Sequence, residues 1–147
     1  MKTLWNESAR QELIERLGRL TPDAKPRWGK FNAPRMLAHI ASSMRMAKGE
    51  IVPAPRNLPI RFTPLKQLII YWLPFPRGAP TAPELLLRHV ENWDENVADV
   101  RTQIDSFGTW KQKGPWPRHP AFGTLSEQAW GVLGYRHTDH HFKQFGV

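Results

Sequence analysis

The chain has 147 residues, of which 40% are hydrophobic and seven are tryptophan, so it can fill the core of one domain and is not a disordered chain. It contains no cysteine, which excludes disulfides, thiolate metal ligands and a cysteine nucleophile. The formal net charge is +8, but the basic residues are scattered in ones and twos, so we expect a basic surface suited to anionic small molecules and no specific nucleic-acid partner.

The chain begins MKTLWNESARQELIERL, which predicts no signal peptide because the sequence turns polar and helical at once. A first helix is expected from about Ser8 to Leu20, with S-A-R-Q as a capping box and Leu13 and Leu17 on the same face as Leu20. The most hydrophobic stretch, LKQLIIYWLPF, is too short and too polar to span a bilayer. We therefore expect a soluble, cytoplasmic protein with no membrane partner.

A second helix is predicted to follow the loop TPDAKPRWGKFN. Asn32 is a favourable N-cap, and Pro34 is tolerated in a first helical turn. The helix would carry an apolar stripe made of Met36, Ile40, Met44 and Ala47. Gly49 and the prolines after it end the pattern.

The middle of the chain, Ile51 to Pro83, is dense in proline. One stretch in it keeps helical spacing until Pro74: Leu65, Leu68, Ile69, Trp72 and Leu73. We interpret this stretch as a short amphipathic helix that lies against the main body or serves as a lid or dimer contact.

A third main helix is predicted from the T-A-P-E stretch, with Thr81 as cap, Pro83 in the first turn and Glu84 reaching back to the cap. Its seam alternates spacings of four and three: Leu86, Val90, Trp93, Val97, Val100 and Ile104. A long loop, SFGTWKQKGPWPRHPAFGTLS, leads to a last helix that Ser126 would cap and that ends near Gln144 or Phe145. Four such helices without an alternating strand predict an all-α, up-and-down four-helix bundle in one domain, residues 1–147.

The last helix carries an i,i+4 histidine pair, His137 and His141, on the face that also holds Gln144. This spacing lets two imidazoles point at one metal ion. His39, beside the apolar stripe of the second helix, could meet them inside a bundle. Three imidazoles would leave an open position for water or substrate, whereas the plainer alternative is a hydrogen-bonded core feature.

The remaining histidines have weaker patterns. His119 could line the mouth of a pocket, act as an acid or base, or be a fourth ligand, and it could equally be a loop residue bonded to the backbone beside Phe122. His140 points about 100° away from His141. His89, next to the third-helix seam, is either a partner of the ligating rings or a half-buried surface residue. Possible hydrogen-bond partners for the ligating rings are Ser43, Asn92, Asn96 and Gln144.

Two stretches, WGKFNAPRMLAHI and HTDHHFKQFG, resemble the DinB/YfiT-like superfamily of metal-dependent enzymes, and HPAFGTLSEQAW resembles a DinB-like subfamily of unknown function. The resemblance runs from about Leu17 to Val147. It implies a bundle in up-down-down-up order with a long crossover, for which the proline-rich middle would serve. It also implies that His39, His137 and His141 bind a divalent metal, zinc or nickel, while His119, His140 and Gln144 remain candidate pocket residues.

Relatives in this superfamily include S-transferases and isomerases that depend on low-molecular-weight thiols. The resemblance therefore implies a thiol-dependent transferase or a metal-activated hydrolase acting on a small molecule. The alternative is a non-enzymatic binding or stress-associated module whose histidine cluster is structural or free of metal. A homodimer through the Leu65–Leu73 stripe is a further expectation.

Overall fold

The structure, a computed structural model, describes residues 1–78, 81–86, 92–110 and 112–147. Its helices in chain order are α1 (Glu7–Leu17), α2 (Ala33–Ala47), α3 (Leu65–Tyr71), α4 (Trp93–Phe107) and α5 (Glu127–Gln144). Two short 3-10 turns, Pro59–Arg61 and Pro83–Leu86, lie in the proline-rich middle. The only strands among the described residues are β1 (Arg118–His119) and β2 (Gly123–Thr124), paired antiparallel with His119 opposite Gly123. The described chain is therefore mostly helical, as an all-α class requires.

Two of the predicted helix starts are confirmed. The side chain of Asn32 accepts a hydrogen bond from Arg35 N at 2.9 Å, and that of Ser126 accepts one from Ala129 N at 3.2 Å. Each cap satisfies one of the backbone N–H groups that a helix leaves free at its start.

The predicted bounds of the first helix are wrong. Helix α1 begins at Glu7 after Asn6, whose side chain makes no capping bond, and Ser8 lies inside the helix. The helix ends at Leu17, because Gly18 follows and has a low helix propensity. The predicted apolar face is nevertheless buried as expected.

The predicted start of the third main helix is also wrong. Thr81 precedes only a 3-10 turn, and the Oε1 atom of Glu84 accepts from Ala54 N. Helix α4 begins at Trp93, where the Asn92 side chain accepts from Asp94 N and two acidic residues favour the positive end of the helix dipole. Val90 and His89 lie outside the described residues.

Helix α3 presents its apolar stripe to solvent. Leu65, Leu68 and Trp72 are exposed, whereas Ile70, on the opposite face, is buried. The predicted helix therefore does lie against the main body, through its contacts with α5, but most of its apolar stripe faces solvent.

The four longer helices share one hydrophobic core. Helices α1 and α2 each pack against both α4 and α5, and the 3-10 turn Pro83–Leu86 packs against α2. The loop before α5 adds Phe122 and Leu125 to the same core. No helix in the described part of the chain is long and apolar enough to cross a membrane.

Candidate metal centre

Three imidazoles meet where α2 packs against α5. His137 and His141 are one turn apart on α5, and His39 faces them from α2. The Nε2 atom of His137 lies 3.1 Å from that of His39 and 3.2 Å from that of His141. Within the described residues, these three form the one group of potential ligands whose nitrogens all lie within 4.8 Å of one another.

These separations fit nitrogens that share one ion. Two nitrogens held at about 2.0–2.1 Å from one ion, at an angle of roughly 90–110°, lie about 2.8–3.4 Å apart. The ring planes of the three imidazoles are nearly perpendicular in each pair, at 78° to 88°, so the Nε2 atoms converge without stacking of the rings.

Hydrogen bonds alone explain this arrangement less well. A neutral imidazole nitrogen either donates one proton or accepts through one lone pair. The Nε2 atom of His137 faces two other Nε2 atoms, so it makes a well-formed hydrogen bond with only one of them. Three lone pairs directed at one ion satisfy all three atoms.

The three rings are neutral near pH 7. Burial lowers the pKa of His39 to about 3 and that of His141 to about 4, and it lowers the pKa of His137 well below its ordinary value. For His39 and His137, repulsion between the charged forms of the imidazoles lowers the pKa further. Neutral imidazoles are the form that binds zinc or nickel, so the donor set fits such an ion.

Gln144 selects the tautomer of His141. The amide Nε2 of Gln144 donates to the Trp28 carbonyl at 2.6 Å, which turns its Oε1 towards the Nδ1 atom of His141 at 2.9 Å. Because a carbonyl oxygen cannot donate, that Nδ1 atom carries the proton. The Nε2 atom of His141 therefore offers its lone pair to the centre.

The loop before α2 is shaped around this amide. Gly29 has a φ of +81°, and a Cβ atom placed on it would lie 2.6 Å from the Gln144 side-chain nitrogen. In the same loop, Arg27 N donates to the Gln144 carbonyl at 2.7 Å. A glycine is therefore required here both by backbone conformation and by the close approach of Gln144.

Aromatic rings enclose the three imidazoles. Phe31 lies 5.4 Å from the ring of His39 and 5.9 Å from that of His141, measured between centroids. Phe75, from the proline-rich middle, lies 6.5 Å from the ring of His137. His39 and His141 consequently expose only 4% and 8% of their surface.

His140 lies on the outer side of the centre. It is half-buried, and its ring contacts those of Trp28 and Phe75 at 5.6 and 5.9 Å. The Arg77 guanidinium lies over the Trp28 ring at 4.4 Å. The pKa of His140 is lowered, first by burial, and the charge of Arg77 adds to this effect against the opposing charge of Asp139.

His119 bonds to the backbone of its own loop. Its Nδ1 atom accepts from Ala121 N at 3.1 Å and from Phe122 N at 3.2 Å, and its ring packs against Trp130. Burial lowers its pKa to about 4. The described contacts of His119 are therefore those of the loop residue that the sequence left as one alternative.

Two of the other residues considered as partners of the ligating rings, Ser43 and Asn92, bond elsewhere. Ser43 Oγ donates to the backbone carbonyl of His39, not to its ring, and Asn92 caps α4. Asn96 is buried in α4. The backbone of Leu85 raises the pKa of His39, although burial lowers it by more. Within the described residues, the buried Nδ1 atom of His39 has no hydrogen bond of good geometry.

Sequence reasoning missed most of the residues around the imidazoles: Gly29, Phe31, Phe75, Arg77 and the carbonyl of Trp28. The stretch W-G-K-F before the Asn32 cap was the available signal, because a glycine beside two aromatics marks a turn that packs closely against a neighbour.

One open groove lies apart from the three imidazoles. A groove of about 600 Å³ is lined by Arg16, Tyr135, Arg136 and Asp139 among others, and none of the three imidazoles contributes to it.

Comparisons with protein-family models, with curated proteins and with solved structures find no match to the chain.

Proposed function

We propose that His39, His137 and His141 bind one divalent metal ion, zinc or nickel, in an enzyme that acts on a small molecule. The observation that supports this proposal best is the convergence of three neutral Nε2 atoms, at 3.1 and 3.2 Å around His137. The tautomer of His141 that Gln144 selects is a second support.

We also propose that the chain is a single domain with the four-helix bundle of the DinB/YfiT type, in up-down-down-up order. The contacts of α1 and α2 with both α4 and α5 agree with such a bundle. In this arrangement the proline-rich middle would be the crossover, and it carries α3.

Three protein ligands leave a further coordination position for a reactant. A bound divalent ion would act there as a Lewis acid and lower the pKa of a thiol or of water. Phe31 and Phe75 would keep bulk water from the imidazoles, and neutral His140 beside them could accept the proton that the reactant releases. A thiol-dependent S-transferase, working with a low-molecular-weight thiol in the cytoplasm, is the reaction class we favour, and a metal-activated hydrolase is the next.

A non-enzymatic binding or stress-associated module is the second candidate. The burial of His39 and His141 under Phe31 favours it, because a structural site is closed whereas a catalytic site keeps an access route.

The decisive experiment measures bound metal by elemental analysis in untagged protein purified without chelators or nickel resin. The wild type is compared with His39→Ala, with the double variant His137→Ala/His141→Ala, and with His119→Asn as a matched control outside the cluster. We expect about one ion per chain in the wild type and control, and none in the other two while their helicity persists. A wild type that carries no metal and takes up neither zinc nor nickel would refute the proposal.

Loaded protein then separates the two candidates. Turnover of electrophiles in the presence of a small thiol, lost in His39→Ala, supports the enzyme. Stoichiometric metal whose removal unfolds the chain, with no turnover for any thiol or ester tested, favours the structural module.

A further inference from the structure

Five large apolar side chains are exposed within a short stretch of the proline-rich middle. Phe62, Leu65, Leu68, Trp72 and Leu73, here called the α3 patch, each expose between 38% and 74% of their surface. Outside this stretch, only Met1 and Val52 are large hydrophobics with comparable exposure in the described part of the chain. Scattered exposed leucines are ordinary, whereas a contiguous group of this kind marks a surface that binds something.

Helix α3 is held with this face outward. Leu65, Leu68 and Trp72 follow the i, i+3, i+7 spacing of one helical face, and Ile70 is buried on the other. From α5, the Arg136 guanidinium donates to the carbonyls of Ile69, at 2.8 Å, and of Ile70 and Leu73. These bonds satisfy carbonyls at the end of α3 and fix its orientation, so the exposure of the patch is built into the fold.

The surroundings of the patch are basic. No Asp or Glu occurs between Ile51 and Pro83, and the same segment contains four cations: Arg56, Arg61, Lys66 and Arg77. Lys66 donates to the Thr124 carbonyl, Arg61 donates to Asn57, and Arg77 lies over an indole ring. None of the ion pairs among the described residues involves these three cations, so within that part of the chain no carboxylate neutralises them at contact distance.

The positive charge around the patch favours some binding partners over others. A second copy of the chain, docked through the same patch about a two-fold axis, would bring two basic segments together. A surface that offers both an apolar layer and negative charge complements the patch. The interface of a bilayer that contains anionic phospholipids has both properties.

We propose that the α3 patch is a peripheral docking surface for membranes rich in anionic phospholipid. Leu65, Leu68 and Trp72 enter the boundary between headgroups and acyl chains, and Arg61 and Lys66 contact phosphate groups. The sequence predicted no membrane partner because the apolar stretch is too short to span a bilayer. A peripheral contact requires only an exposed apolar face, and it is independent of the metal centre.

The test uses the full chain and two kinds of vesicle, one of phosphatidylcholine alone and one with an equal share of phosphatidylglycerol. Co-sedimentation should show binding at least about tenfold tighter to the anionic vesicles, weakened by salt. Arg61→Gln/Lys66→Gln should reduce this binding about 25-fold, at about fivefold for each charge, whereas the exposed pair Arg101→Gln/Lys113→Gln should change it much less. Leu68→Ser/Trp72→Ser should reduce it about tenfold or more, and Val52→Ser should not.

A site-specific readout is available because the chain contains no cysteine. An environment-sensitive fluorophore attached to Leu68→Cys should shift to the blue with anionic vesicles, whereas the same label on Val52→Cys should not. Absence of wild-type binding, equal binding to both vesicle types, or binding that survives Leu68→Ser/Trp72→Ser would each overturn the proposal. The membrane proposal would also be overturned if the fluorophore shifted to the blue with rising protein concentration in the absence of lipid and the protein sedimented as a dimer. These results would show that the patch binds a second copy of the chain.

Discussion

The side-chain oxygen of Gln144 lies 2.9 Å from the Nδ1 atom of His141, and this contact determines which ring nitrogen of His141 is free to bind a metal. The Trp28 carbonyl fixes the amide in the orientation that makes this possible. The proposed centre is therefore controlled by a residue that is not itself a ligand.

Replacement of Gln144 should weaken metal binding without unfolding the chain. Gln144→Leu removes the acceptor that holds the proton on Nδ1 of His141, and we expect affinity for zinc to fall about 10–100-fold. Competition with a chromophoric chelator measures this affinity. The exposed Gln128→Leu, at the start of α5, is the matched control and should leave it unchanged. Equal affinities for Gln144→Leu and wild type would show that the amide does not support the centre.

Gly29→Ala should weaken zinc binding, whereas the comparable change Gly78→Ala should not. Gly29 and Gly78 have nearly the same φ, +81° and +79°, so alanine costs about 1–2 kcal/mol of backbone strain at either position. Only at Gly29 would the new Cβ meet Gln144, at 2.6 Å, because nothing lies within 4 Å of the corresponding position at Gly78. Chemical denaturation and zinc titration should show both variants destabilised but only Gly29→Ala weakened in zinc affinity. The same loss of affinity in Gly78→Ala would contradict this explanation.

The stability of the metal-free protein should fall as the pH is lowered from about 6.5 towards 4. Burial depresses the pKa values of five histidines in the folded chain: His39, His119, His137, His140 and His141. Histidines of the unfolded chain titrate near 6.5, so below that pH the unfolded chain binds protons that the folded chain does not. Each such group except the half-buried His140 lowers the free energy of unfolding by about 1.4 kcal/mol per pH unit within this window.

Urea denaturation at several pH values between 7 and 4 measures this slope. His119→Asn keeps a side-chain oxygen that can accept from Ala121 N and Phe122 N but does not titrate. The free energy of unfolding of this variant should therefore fall less steeply with pH, by about the 1.4 kcal/mol per pH unit that one proton contributes. A free energy of unfolding that is constant from pH 7 to pH 5 would mean that these rings take up protons as readily in the folded chain as in the unfolded one.

The start of α4 can be tested through its cap. Asn92→Ala removes the acceptor for Asp94 N and should lower the free energy of unfolding by about 1 kcal/mol. Thr81→Ala, at the position that the sequence pattern suggested, should cost much less because a helix does not begin there. Thermal or chemical denaturation distinguishes the two variants. A larger loss of stability for Thr81→Ala than for Asn92→Ala would indicate that the helix begins at Thr81.

Several features of this protein are determined by short stretches of its sequence. The caps at Asn32 and Ser126 need only a side chain and a backbone N–H three residues further on, so local sequence predicts them. The neighbouring positions of His137 and His141 follow from the i,i+4 spacing of any helix. The absence of cysteine limits the ligands of a metal site to His, Asp and Glu whatever the fold.

Other features were decided by contacts between distant parts of the chain. A stripe of leucines has the same spacing whether it faces a core or solvent, so only the bonds of Arg136 to α3 show that the patch points outward. The T-A-P-E stretch satisfies the rules for a helix start, but Glu84 bonds to Ala54 and the helix begins at Asn92 instead. His39 meets the α5 histidines because α2 packs on α5, and Gln144 finds the Trp28 carbonyl across 116 residues. Local sequence specifies which side chains are neighbours on a helix, whereas packing of the core decides which helices face one another and therefore which imidazoles share a centre.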